Sequence, residues 1–297
     1  MTYSIVARDQ KTGQLGVAVQ SHYFSVGPVV PWARAGVGAV ATQSMVDVSY
    51  GPMGLDLMAS GKSAKEALES LLKTDQKANT RQVGMVDSKG VVATHTGNRC
   101  IDFAGHVAGE GYSCQANLMS NDTIWGAMEK TYLKSSELEF PERLLVALEA
   151  AENAGGDIRG KQSAAILVVS SQVYANPWMG RLVELRVEDA PEPIEELKRL
   201  LKLKRGYEWA DKGDELLSSG KLKESNEAYS KALEYAPDNE EILYWKGITL
   251  LGSTMKEDGS TILKEIFRKN KNWIQVTKSL LDREYIMKSE ALENLMK

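Results

Sequence analysis

This chain of 297 residues has only two cysteines and three histidines. Cys100 and Cys114 lack Cys-x-x-Cys spacing and have no histidine pair beside them, which argues against a structural zinc site. They form a disulfide only if the fold brings them together; otherwise they read as buried thiols. His22, His95 and His106 show none of the His-x-His, His-Glu-x-x-His or His-x-x-x-His spacings, so neither a metal nor another cofactor is expected. No apolar run approaches the ~18 residues of a membrane span. No basic stretch followed by an apolar segment opens the sequence, so no signal peptide is expected and a cytoplasmic location is. Long blocks of one charge sign are missing as well, and the formal net charge is −4. Nucleic acid and anionic membranes, which favour basic patches, are therefore not expected partners. There is no Gly-x-Ser-x-Gly elbow. The glycine-rich "AGVGAVATQS" lacks the strand-to-helix context and the Lys-Ser/Thr ending of a phosphate loop.

What is present is alternation. Residues 3–9 read as a strand with Tyr3, Ile5 and Ala7 on one face; Gln10-Lys11-Thr12-Gly13 turns the chain, and Leu15, Val17 and Val19 continue it. Short extended pieces follow, the last over residues 37–42. Two helices are expected next, over residues 51–59 and after Ser63, where Glu66 completes a capping box and Ala64, Ala67, Leu68, Leu71 and Leu72 share a face. A hairpin around Asp87-Ser88-Lys89-Gly90 and a strand in "GYSCQANLM" return the pattern to β structure. A second helical pair covers residues 122–133 and 141–153, with Pro141 suited to a first turn. Strands over 163–170 and in "RLVELRVED" complete it.

Strands, two helices, strands, two helices, strands: that order fits an α+β fold, a four-layer α/β/β/α sandwich. After "DAPEPIEELKRLLKLK" only charged amphipathic helices are expected. The boundary is set near Pro191, giving a sandwich domain over 1–190 and a small all-α domain over 191–297. In the second, "GYEWADKGDELLSSGKLKESNEAYSKALEYAPDN" resembles a tetratricopeptide repeat, with Trp209, Gly213, Gly220, Tyr229, Ala232 and Pro237 in the characteristic places. Leu243, Gly247 and Leu250 begin another copy, which decays: Gly259 falls within its second helix and Lys271 replaces the proline. A segment after Trp273 reads as a cap over the exposed apolar face. This tail engages a protein partner, or packs on the main domain, or builds a homo-oligomer.

The chemistry is sought at the start. Loss of Met1 frees an α-amine on Thr2, whose reference pKa of about 7.7–8.0 leaves a useful neutral fraction near neutrality. That amine can take the proton of the Thr2 hydroxyl, so nucleophile and base share one residue. Gln43 and Ser44, at a strand end, are placed to donate to a substrate carbonyl or oxyanion. His22 follows a strand and either lines the cleft or serves packing.

Six blocks, "TYSIVARDQKTGQLGVAVQSHYFSVG", "VVPWARAGVGAVATQS", "YGPMGLDLM", "HTGNRCID", "AGEGYSCQANLM" and "AGGDIRGKQSAAILVV", occur in order and resemble the domain of unknown function 1028 family, within the N-terminal-nucleophile hydrolase superfamily. The resemblance covers residues 1–188. It implies the sandwich fold and, carried over position by position, a site. Ser21 takes the place of the polar group at the end of the second strand. Asn117 takes that of the polar residue where a later strand meets its helix. Asp157 and Ser163 are the acid and serine that orient the threonine amine. The superfamily's lysine has no counterpart; in the corresponding segment Arg34 is the cation. The expected activity is amide hydrolysis through an acyl-enzyme on a small-molecule amide or peptide-like substrate, with Asn117 or Gln43 stabilising the oxyanion. The alternative is a non-catalytic binding or assembly protein on the same fold, with a retained Met1 as its signature.

Overall fold

The computed structural model describes residues 2–297, apart from the side chain of Pro177; Met1, and with it the expected loss of that residue, lies outside the described residues. The chain divides into two units, up to Lys198 and from Arg199 on. The composition change at Pro191 thus precedes the division by a few residues, because helix α5 (Pro193–Ser218) begins before it.

In the first unit ten strands form two antiparallel sheets. Strands β1 (Thr2–Arg8), β2 (Leu15–Ser21), β7 (Gly105–Gly109), β8 (Tyr112–Asn117), β9 (Ser163–Val169) and β10 (Arg181–Val187) make one sheet in the order β10-β9-β2-β1-β8-β7. Strands β3 (Pro31–Arg34), β4 (Gly38–Ser44), β5 (Arg81–Asp87) and β6 (Val92–Thr96) make the other, in that order. Helices α1 (Tyr50–Ala59) and α2 (Ala64–Leu72) pack on the outside of the smaller sheet, and α3 (Ile124–Lys134) and α4 (Phe140–Asn153) on the outside of the larger. β1 and β2 meet β4 across the interior, so the layers run α/β/β/α.

The period of two explains this placement. Along β1, Tyr3 sends its hydroxyl to Glu152 of α4, while Ser4 and Val6 face the other sheet. Both faces are therefore covered, and every β1 residue from Thr2 to Ala7 is buried. The inter-sheet core joins Val6, Val17 and Val19 to Ala39, Ala41 and Val86. A second core lies under α1 and α2, where Leu55, Leu68 and Leu71 cover Val40, Val83 and Met85. The capping box at Ser63 is formed, its hydroxyl accepting from the Glu66 N–H and the Glu66 carboxylate accepting from the Ser63 N–H. Cys100 and Cys114 are both buried and free.

The second unit is helical: the remainder of α5, then α6 (Leu222–Tyr235), α7 (Glu240–Leu251), α8 (Lys256–Lys269), α9 (Asn272–Asp282) and α10 (Glu290–Leu295). A Cβ on Gly213 would stand 2.8 Å from the Tyr229 ring, so glycine sets the α5–α6 approach. Gly259, which looked like decay of the repeat, has the same use: a Cβ there would lie 2.6 Å from the backbone nitrogen of Leu251. The Trp273 ring stacks on Tyr244 at 4.6 Å between centroids, and the Thr277 hydroxyl lies 3.0 Å from that of Tyr244, so the segment after α8 does cover this core. Among the described residues no helix is long and apolar enough to cross a membrane.

Candidate functional site

Strand register lines up four polar residues at one edge of the larger sheet. Thr2 pairs with Asn117 on β8 and with Ser21 on β2, and Ser21 pairs with Ser163 on β9. All four are buried. The Thr2 hydroxyl lies 3.0 Å from that of Ser21. The Thr2 carbonyl accepts from Gln43 Nε2 at 3.2 Å and Asn117 Nδ2 at 3.4 Å.

Those two amides belong to a network that fills the space between the sheets. Gln82 Oε1 accepts from Gln43 Nε2 and Asn117 Nδ2, at 2.8 Å each, and Gln82 Nε2 donates to the carbonyls of Gly105 and Ala116. Ser4 donates to Gln43 Oε1 at 2.6 Å and accepts from Gln115 Nε2 at 2.7 Å. Buried amides need such partners, since an orphaned one costs about 1–3 kcal/mol. With their amides committed inward, Gln43 and Asn117 hold the Thr2 backbone rather than offering a donor to a substrate oxygen.

In front of Thr2 opens a cavity of about 140 Å³, lined by Thr2, Ser21, Tyr23, Val26, Val29, Val30, Gln43, Ser44, Val46 and Arg159. Two loops make its apolar walls. The one after β2 is clamped by Ser163, whose hydroxyl donates to the Tyr23 carbonyl at 2.6 Å and accepts from the Val26 N–H at 3.1 Å. The one after β4 is anchored by Arg81, which donates to the Met45 carbonyl at 2.6 Å and pairs with Asp75 at 2.7 Å. That pairing holds the Asp75 carboxyl down at about 2. Ser25 and Leu118, on the chain beyond β2 and β8, and Ser44, the last residue of β4, have φ of 57°, 56° and 72°. Non-glycine residues in that region cost about 1–3 kcal/mol each and gather at functional sites.

Asp157 forms an isolated bridge with Met119, just past β8. Its carboxylate accepts from the His22 N–H at 3.4 Å and from Arg159 Nε and Nη2 at 3.1 and 2.9 Å. Burial, the largest influence, raises its pKa, but hydrogen bonds and nearby positive charge, those of the Arg159 guanidinium and backbone N–H among them, together outweigh it and hold the carboxyl below its ordinary range.

The structure thus gathers Thr2, Ser21, Gln43 and Ser44 at one cavity, with Asn117 and Asp157 on the segments behind it. Beyond the amide donors of Gln43 and Asn117, three more expectations change. Arg34 pairs with Gly38 at the opposite end of β4 from Ser44 and is bound to Asp56 at 2.7 Å, so it does not reach the cavity. Arg159 brings the positive charge instead. Ser163 stands two strands from Thr2, about 10 Å at ordinary strand spacing, and its hydroxyl serves the loop. His22 turns its ring to Gln162, 3.3 Å from Nδ1 to Oε1, and is not among the lining residues. Arg159 and Gln82 were missed. The acid-x-arginine spacing in "GDIRG" was the available signal for the first; the second had none, because its partners are remote in sequence.

The profile of the family of unknown function DUF1028 matches residues 2–197, the whole sandwich. The chain belongs to this family. Among solved structures the DUF1028 chain is similar to protein SPO2555 from Silicibacter pomeroyi, whose crystal structure carries the same family description. The identity is 30%, the match covers 68% of this chain and 84% of that one, and the TM-score is 0.61. Anbu (ancestral beta-subunit) from Yersinia bercovieri also matches, at 10% identity and a TM-score of 0.29 over 66% of this chain and 91% of that one; a likeness of that size carries no inference. No curated protein matches. Residues 213–252 match a TPR repeat, which suggests protein–protein interaction for the helical region of this DUF1028 protein.

Proposed function

We propose that the sandwich is an N-terminal-nucleophile amide hydrolase acting through Thr2 once Met1 is removed. The observation that carries the reading is the setting of Thr2. A buried threonine at the end of a central strand has its carbonyl pinned by two amides and its hydroxyl beside Ser21 at the wall of a cavity. Rigid placement of this kind is what lets a weak nucleophile react.

In the reaction, Thr2 Oγ1 bonds to the substrate carbonyl carbon and its proton passes to the freed α-amine. Collapse of the tetrahedral adduct breaks the C–N bond, and the amine hands the proton to the departing nitrogen. Water then attacks the ester, restoring Thr2 and releasing the acid. Ser21 and Asp157 are the groups assigned to orient the amine. Arg159 supplies fixed positive charge, which favours the neutral amine; a guanidinium stays protonated and so does not itself shuttle the transferred proton. The helical region is assigned to a protein partner, on the strength of the repeat match.

The test is hydrolysis of an amide panel by protein whose mass shows that Met1 is gone. Thr2→Ala should abolish turnover with the fold intact, and Thr2→Ser should keep a reduced rate. Equal turnover in wild type and Thr2→Ala would remove the mechanism and leave the binding and assembly reading.

A further inference from the structure

The geometry points to a substrate class: we propose that the cavity is a side-chain pocket for a branched aliphatic residue, and that the substrate is an apolar peptide amide. This rests on the reading of Thr2 as nucleophile.

Size comes first. A cavity of about 150 Å³ accepts a molecule such as benzene. The one before Thr2, at about 140 Å³, holds one side chain of leucine or valine size and not a whole peptide residue with its neighbours. Chemistry comes next. Val26, Val29, Val30 and Val46 supply its walls. Of the polar lining groups, the Gln43 amide is bound within the inter-sheet network and the Thr2 and Ser21 hydroxyls lie against each other, while the buried Ser44 hydroxyl, with no partner among the described residues, is a single neutral group that cannot balance a charge. The one charged lining residue, Arg159, already donates through Nε and Nη2 to Asp157. A lysine or glutamate side chain entering here would lose its water and meet valines and a guanidinium that already pairs with Asp157. An aliphatic one loses nothing by leaving water.

The surroundings extend the argument. Tyr23, Phe24, Met45, Val46 and Ile158 are all exposed large hydrophobic residues. Tyr23 and Val46 line the cavity; Phe24, Met45 and Ile158 are chain neighbours of lining residues. Apolar surface continuous with a pocket marks a binding face. With the aliphatic side chain in the pocket, the scissile carbonyl lies at Thr2 and the preceding residues lie over this apolar rim.

The test uses the full-length, Met1-free protein with acetyl-Ala-Ala-X coumarylamides in which X is Leu, Ala, Lys or Glu. Leucine should exceed alanine by about tenfold, the order expected of methylene groups in a fitted pocket, and exceed lysine and glutamate by more. Val46→Asp, at an exposed position where folding is not at stake, should reduce turnover of the leucine substrate about tenfold and narrow its lead over lysine. Calorimetry of the Thr2→Ala variant with acetyl-Ala-Ala-X amides gives a readout free of chemistry, and only X = Leu should bind well. Turnover that favours lysine or glutamate overturns this pocket while leaving the nucleophile standing. Selective leucine binding without any hydrolysis upholds the pocket and removes the nucleophile. No turnover and no selective binding overturns both.

Discussion

Asp157 and Arg159 show how single residues set the character of the site. The Asp157 carboxyl is buried, which disfavours its charge, yet its pKa lies below the ordinary carboxylate range, with two guanidinium hydrogen bonds and the Arg159 N–H among the causes. A depressed folded pKa means that the carboxylate's contribution to stability is present above its unfolded pKa of about 3.9 and is lost as the pH falls through the folded value. In Arg159→Gln, the guanidinium hydrogen bonds that oppose burial are lost and the pKa moves up. Acid-induced loss of stability should therefore begin at higher pH in the variant, read as urea midpoints across the acidic range. Midpoints that run parallel to wild type at every pH would show that Arg159 does not hold the charge. At this scale the sequence was partly legible. Thr2, Ser21, Gln43 and Ser44 announced themselves by standing at strand ends, and the structure gathers them. Arg34 misled because a cation was sought in one segment, whereas the fold supplies charge from the turn before β9.

Among elements, the join between the two sheets carries the most consequence. At the Thr2 end it is made of amides, and Gln82 on β5 ties β4, β7 and β8 to one another. Gln82→Leu would leave the Gln43 and Asn117 amides without that acceptor, and each orphaned buried donor costs about 1–3 kcal/mol. The variant should lose several kcal/mol in urea unfolding and also lose activity, because the Thr2 carbonyl is held by the same two amides. A stability within about 0.5 kcal/mol of wild type would contradict the network's role, since that is the spread of neutral surface changes. None of this could be read in advance: Gln43, Gln82 and Gln115 lie on separate strands with no common spacing. Strand β7 escaped notice too. Glycines bound it, among the described residues only β8 pairs with it, and its residues alternate between exposed and half-buried, so it carries little apolar signal. Strands β1, β2 and β9 were legible because burial on both faces gave dense runs of valine, isoleucine, leucine and alanine.

For the whole molecule, the two units answer to different rules. The proposed chemistry belongs to the sandwich; the helical unit keeps its shape through small residues at helix crossings. Gly259→Ala places a methyl against the backbone of α7, and overpacking of this kind costs about 1–3 kcal/mol. Calorimetry should show the helical transition lowered by that amount, with amide turnover unchanged. A fall in turnover equal to that in Thr2→Ala would mean that the helices belong to the catalytic apparatus. The repeat was recognisable from Trp209, Gly213, Tyr229 and Pro237, but its continuation was not, because Gly259 reads as a helix breaker until α7 is seen beside it.

The most direct measurement is mass analysis of the protein from its native host after exposure to a β-lactone, which acylates a reactive hydroxyl by ring opening and adds its whole mass. The account predicts a chain that starts at Thr2, one adduct on its first peptide, and none in Thr2→Ala. A chain that retains Met1, or a first peptide that stays unmodified while the reagent lands elsewhere, would contradict it.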